Sequence, residues 1–114
     1  MKKFMLIFRG PDYNEQEYTA EENQEVMGKW FAWVDELKAQ DRYVAGDALL
    51  PTGKVVKRNH TVTDGPYAES KELVGGFFVI RATDIADAIA HCDGFPDYGI
   101  GGSVEVREVV VFDM

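Results

Sequence analysis

Cysteine is nearly absent, with one in 114 residues. A lone thiol cannot form an internal disulfide, so packing must hold the fold, and a reducing cytoplasm is the expected compartment. Positive charge is also scarce. Lys and Arg number 12 against 20 Asp and Glu, a formal net charge of −8. Nucleic acids and anionic membranes are recognised by positive charge that displaces counterions, so neither is expected as the main partner. Long apolar runs are missing. The run Phe4-Met5-Leu6-Ile7-Phe8 stops at Arg9, too short for a signal-peptide core or a membrane span. Repeats, low-complexity tracts and linkers are missing as well. The remainder is 46% hydrophobic and 28% charged, which suits one globular domain over residues 1–114 and excludes disordered, collagenous and coiled-coil chains.

What is present alternates between strand and helix. Phe4 to Phe8 is apolar at every position and is ended by Arg9-Gly10-Pro11, the pattern of a strand covered on both faces. Residues 10–18 are polar and read as a loop. Thr19-Ala20-Glu21-Glu22 is a capping box that opens a helix. Met27, Trp30, Phe31, Val34 and Leu37 then form its apolar stripe, with Trp33 at the edge and an end near Gln40. Ala48-Leu49-Leu50, Val55-Val56 and Val62 are short apolar pieces. Pro51-Thr52-Gly53 separates the first two and suggests a hairpin, and Asp64-Gly65-Pro66 stops the next strand. Residues 67–74 suit a turn or one helical turn. Gly75-Gly76 then opens the strand Phe77-Phe78-Val79-Ile80. Thr83 or Asp84 caps a second helix with Ile85, Ala88, Ile89 and Cys92 on one face, ended by Gly94 and Pro96. Val104 to Phe112 makes the last strand, alternating first and then wholly apolar.

The order β-α-β-β-(β)-β-α-β, with two helices crossing between strands, is the split βαβ plan: a ferredoxin-like β-α-β-β-α-β core, an α+β fold with an antiparallel sheet and both helices on one face. The other face should be polar. Instead Phe4–Phe8, Phe77–Ile80 and Val109–Phe112 offer apolar side chains to both sides, an exposure rarely left open on a monomer. The expectation is a homodimer in which a second copy covers the sheet.

The candidate site centres on residues 63–76. Asp64 ends a strand, where its carboxylate can be aimed at a cleft. Gly65 and Pro66 shape the turn, Tyr67 supplies a ring and a hydroxyl, and Glu69 and Lys71 follow. A plain turn, with Asp64 capping backbone amides, is the competing account of the same residues. His60 precedes Asp64 by four residues; on one extended strand the two would share a face ~13 Å apart. Lys54, Lys57, Arg58 and His60 form the one basic stretch, able to hold a small carboxylate or phosphate or simply to guard an edge strand. Arg81 and Arg107 would need acidic partners if they point into a dimer interior. Three other motifs carry nothing. Gly99-Ile100-Gly101-Gly102 precedes a strand and is no dinucleotide loop. His91-Cys92-Asp93 diverges on a helix and is no metal site. Cys92 completes an apolar face and reads as a small hydrophobe. No metal and no cofactor are expected.

Thr63 to Gly76, read as T-D-G-P-Y-A-E-S-K-E-x-x-G-G, resembles the signature of YCII-related proteins of the DGPF type, with Tyr67 in place of the name-giving Phe. The opening K-x-F-M-L-I-F, Gly46 with Leu49 to Pro51, and Gly101 to Arg107 agree with it. The resemblance implies a ferredoxin-like subunit that pairs sheet to sheet as a dimeric α/β barrel, with a cleft lined by the Asp-Gly-Pro segment. It also implies kinship with a His–Asp dyad group that includes muconolactone-type dehalogenases, and the company of sigma factors. Asp64 matches the acidic position, while the first helix holds no histidine.

Three readings follow. The first is a dimeric domain binding a compact organic ligand, an anion being one option, near Asp64, Gly65, Pro66 and Tyr67, with Glu69, Lys71, Arg58 and Arg81 supplying charge. The second is an enzyme in which Asp64, with His60 or Tyr67, moves a proton in lactone-type or related small-molecule chemistry. The third is an interaction module for a transcription regulator.

Overall fold

Extended, the N-terminal apolar run sends alternate side chains to opposite faces. A computed structural model describes residues 1–66 and 72–113. In it β1 (Lys2–Gly10) buries Phe4, Leu6 and Phe8 on one face and leaves Met5 and Ile7 half-buried on the other. β1 pairs antiparallel with β5 (Leu73–Ala82) on one side and β6 (Ser103–Glu108) on the other, and β2 (Tyr43–Ala48) pairs antiparallel with β5. The sheet order is β2-β5-β1-β6. With two helices this is an α+β fold consistent with a ferredoxin-like subunit. β3 (Gly53–Lys57) and β4 (Thr61–Gly65) form a separate two-stranded ribbon.

Thr19 caps α1 (Ala20–Ala39) as its sequence demands. The Glu22 amide donates to the Thr19 hydroxyl at 3.1 Å, and the Thr19 amide donates to the Glu22 carboxylate at 3.2 Å. Asp84 caps α2 (Ile85–Ala90), accepting from the Asp87 amide at 2.8 Å. Trp33 and Leu37 of α1 and Ala88 of α2, with Cys92 just beyond, share one core with Phe4, Leu6, Phe8, Phe78 and Ile80. Both helices therefore lie on the same face of the sheet. Phe4, Leu6, Leu37 and Ile80 are its largest fully buried side chains, each contributing ~1.5–3 kcal/mol.

Several expectations need correction. Trp33 sits in the core rather than at the stripe's edge, because Gly94 lets its indole approach closely: a Cβ there would lie 2.2 Å from Trp33 Cδ1. Burying that side of α1 turns Met27 and Phe31 outward. Ile85 and Ile89 are likewise exposed, while Ala88 and Cys92 carry the second helix's buried face. The hairpin turn falls at Arg58–His60, not at residues 51–53, with Asn59 at φ 66°. β5 starts at Leu73, ahead of the two glycines. β6 ends at Glu108, since β1 has almost no strand left to pair with it; Val109 makes a last bond to the Lys3 carbonyl at 2.9 Å, and Val110, Val111 and Phe112 are exposed. His91, next to the buried Cys92, is itself packed in, its side chain only 15% exposed beside Asp87.

Candidate functional site

The helix-side face of the sheet is not wholly filled. A cleft of about 430 Å³ lies between the middle of α1 and the ends of β1, β2 and β5. Phe8, Trp30, Tyr43, Phe78 and Phe95 line it, and Met27, Phe31, Leu49 and Leu50 surround them. The rings brace one another. The Phe8 centroid is 5.0 Å from that of Trp30 and 4.8 Å from that of Phe78, both edge to face. Tyr43 meets Phe78 at 5.4 Å in the same manner. Edge-to-face pairs hold rings in fixed orientations, so these walls are set before anything enters. Gly46 makes the space. A Cβ there would fall 2.5 Å from Phe78 Cδ1 and 2.8 Å from the Tyr43 hydroxyl.

One end of the cleft is polar. Asp12 caps the turn Tyr13–Glu15, accepting from the Asn14 amide at 2.9 Å, and so brings Tyr13 over the start of the cleft. The Trp30 indole N–H donates to the Tyr13 hydroxyl at 2.9 Å, and that hydroxyl donates to the Asp97 carboxylate. Asp97 is held by its own loop: its carbonyl accepts from the Gly102 amide at 2.9 Å and the Ile100 amide at 3.2 Å. Burial raises the pKa of Asp97, partly offset by the bond from Tyr13. Burial, then donation to Asp97, raises that of Tyr13 and keeps it protonated. Burial, then the charge of Asp47, raises that of Tyr43. Chemically the arrangement is an apolar aromatic slot closed by a desolvated carboxylate. The described lining residues include no histidine, cysteine or lysine.

The residues expected from sequence are elsewhere. Asp64 is exposed on β4 and paired with Lys54, which lies opposite it on β3. Gly65 ends that strand and Pro66 follows it. Arg58 and His60 occupy the turn of the ribbon, so His60 precedes the strand rather than lying on it. Arg81 stands on the helix-free face of the sheet, opposite Lys3, and bridges to Asp41 at 3.7 Å. Tyr67, Glu69 and Lys71 lie outside the described residues. None of Asp64, Gly65, Pro66, Arg58 or Arg81 lines the cleft. Tyr13 and Asp97 were missed because each sits in a polar loop without periodicity. The available signal was a tryptophan at position 30 whose indole N–H needs a partner when packed.

Among the described residues no three His, Cys, Asp or Glu are grouped to hold a metal ion, and no helix is long and apolar enough to cross a membrane. No curated protein matches the chain. The YCII-related domain matches residues 4–113, so the chain belongs to the YCII-related domain family.

Proposed function

We propose that this chain is a small-molecule binding domain and that the ligand occupies the aromatic cleft between α1 and the sheet. The observation that carries this reading is the cleft itself. About 430 Å³ of space with braced aromatic walls and one polar end suits a compact organic molecule. Binding has better support than turnover, because the described lining residues supply carboxylates and a hydrogen-bonded tyrosine but no histidine, cysteine or lysine.

We further infer a two-fold homodimer joined through the helix-free face of the sheet. Met5, Ile7, Phe77 and Val79 form its half-buried apolar centre. Arg9 with Glu105, and Arg81 with Asp41, form charged pairs around it. An apolar centre inside a charged rim is the usual anatomy of a protein interface.

The test of the cleft is amide chemical-shift mapping with 2-phenylethanol, a neutral aromatic probe. Shifts are expected at Phe8, Trp30, Gly46 and Phe78. Ala48→Trp, at the exposed rim of the cleft, should abolish them without unfolding the chain. Shifts scattered over the surface, or centred on the β3–β4 ribbon, would remove the cleft from consideration.

A further inference from the structure

Among its described lining residues the cleft carries Asp12, Asp47 and Asp97 against a single base, Arg9, with Asp47 opposite Phe77 and so on the helix-free face. That base is already engaged. Arg9 Nε donates to Glu105 at 3.1 Å and Nη1 to the Glu72 carbonyl at 3.4 Å. Glu105 stands opposite Ile7, on the helix-free face, so the Arg9 guanidinium is drawn to the far side of the sheet from the cleft. Among the described residues, the Lys38 ammonium rests 5.5 Å from the centre of the Tyr43 ring and does not line the cleft.

Asp97 differs from the other two acids. Its Oδ2 accepts from Tyr13, and Oδ1 accepts from no described residue. Asp97 Oδ1 is not among the buried, unpartnered side-chain atoms of the described residues. Asp97 lines the polar end of the cleft, so this oxygen is an acceptor where the aromatic walls end. Aromatic faces carry negative potential, as carboxylates do, and the two together attract a cation and repel an anion. The whole chain, at −8, adds to the same preference.

We propose that the cleft takes an amine: a cationic nitrogen donates to Asp97 Oδ1, and an apolar, ring-sized body lies among Phe8, Trp30, Tyr43 and Phe78. This rests on the reading of the cleft as a binding site, and it replaces the anion considered from sequence.

Three probes of one shape separate the two claims: 2-phenylethylamine, 2-phenylethanol and phenylacetate, each titrated into the full chain and followed by amide chemical shifts. The amine is expected to bind about tenfold or more tighter than phenylacetate, with the alcohol between them. Asp97→Asn should bring the three affinities together while the alcohol still binds. Tyr13→Phe, which keeps the Asp97 charge, should retain the order and serves if the Asn variant does not fold. Equal or tighter binding of phenylacetate overturns the amine assignment and leaves the cleft standing. So does a preference for the amine that survives Asp97→Asn. Failure of all three probes to shift the cleft overturns both claims.

Discussion

The Tyr13 hydroxyl donates to the Asp97 carboxylate across 84 residues of chain, tying the loop before α1 to the loop before β6. The same oxygen accepts from Trp30 at 2.9 Å, so one phenol joins both loops to the helix. Tyr13→Phe removes both bonds and leaves an indole N–H and a desolvated carboxylate short of a partner. The expected cost is about 1–3 kcal/mol, toward the lower end because Tyr13 is 40% exposed and water can replace part of what is lost. A urea denaturation midpoint equal to wild type would show that the latch holds nothing.

Two aspartates should respond to acid in opposite ways. Burial lifts the pKa of Asp97 above the ordinary carboxylate value, so the folded chain holds that proton more tightly than the unfolded one. Its charge therefore costs stability at neutral pH, and the cost fades as pH falls through the raised value. Asp87 is shifted down, chiefly because it accepts from the Thr83 amide, then through the Arg42 guanidinium at 2.9 Å and the Thr83 hydroxyl. Its contribution is complete above the ordinary carboxylate value and is lost as pH falls through the lowered one. Asp97→Asn should be at least as stable as wild type at pH 7, while Asp87→Asn should be less stable there and converge with wild type in acid. Denaturation across pH 3–7 checks this, and parallel profiles for the two variants would contradict it.

Cys92 should be inert in the folded chain. It is buried, its Sγ donates to the Ala88 carbonyl at 3.5 Å, and burial followed by the Asp93 charge pushes its pKa up to about 11. Thiolate is the reactive form, so a thiol reagent at pH 8 should label it only as fast as the chain opens. Rapid labelling under native conditions would mean that the Ala88–Cys92 packing is not kept in solution.

Two glycines allow a paired comparison. Gly46→Ala would place a Cβ 2.9 Å from the Phe77 carbonyl oxygen as well as against the Phe78 ring. Backbone cannot yield as a flexible side chain can, so a loss of about 1–3 kcal/mol is expected, with weaker probe binding in the cleft. Gly28, inside α1, has nothing within 4 Å of its Cβ position. Gly28→Ala should therefore raise stability by about 0.5–1 kcal/mol through helix propensity alone. Thermal melts of the two variants should move in opposite directions.

Local chemistry explains what the sequence discloses and what it hides. The Thr19–Glu22 capping box and the apolar strand at Phe4–Phe8 are set by neighbours along the chain, so their pattern is written in consecutive residues. The side of α1 that enters the core is not, since it depends on Gly94 accepting the Trp33 indole, whose N–H donates to the His91 carbonyl at 2.9 Å. The aromatic cleft is hidden for the same reason. It needs Gly46 from β2, Trp30 from α1 and Asp97 from a distant loop, and none of them announces the others. Asp64 is a carboxylate beside an unusual Gly-Pro turn, and its described partner is Lys54, directly across the ribbon. Sequence shows that a residue is unusual; burial decides which side chains meet.

The helix-free face leads to a prediction about assembly. Val79 stands opposite Met5 on one neighbouring strand and Ala45 on the other, at the centre of the half-buried apolar patch. On an isolated subunit a carboxylate there would still reach water, so Val79→Asp should fold. Between two sheets the same carboxylates would be desolvated near one another, which costs far more than an apolar contact returns. Wild type is therefore expected to sediment at twice the chain mass at low micromolar concentration, and Val79→Asp at the chain mass with an unchanged circular dichroism spectrum. Ile85→Asp, exposed at the start of α2 on the opposite side, should leave the mass doubled. A wild-type chain that sediments alone, or a dimer indifferent to Val79→Asp but broken by Ile85→Asp, would place the contact elsewhere or remove it.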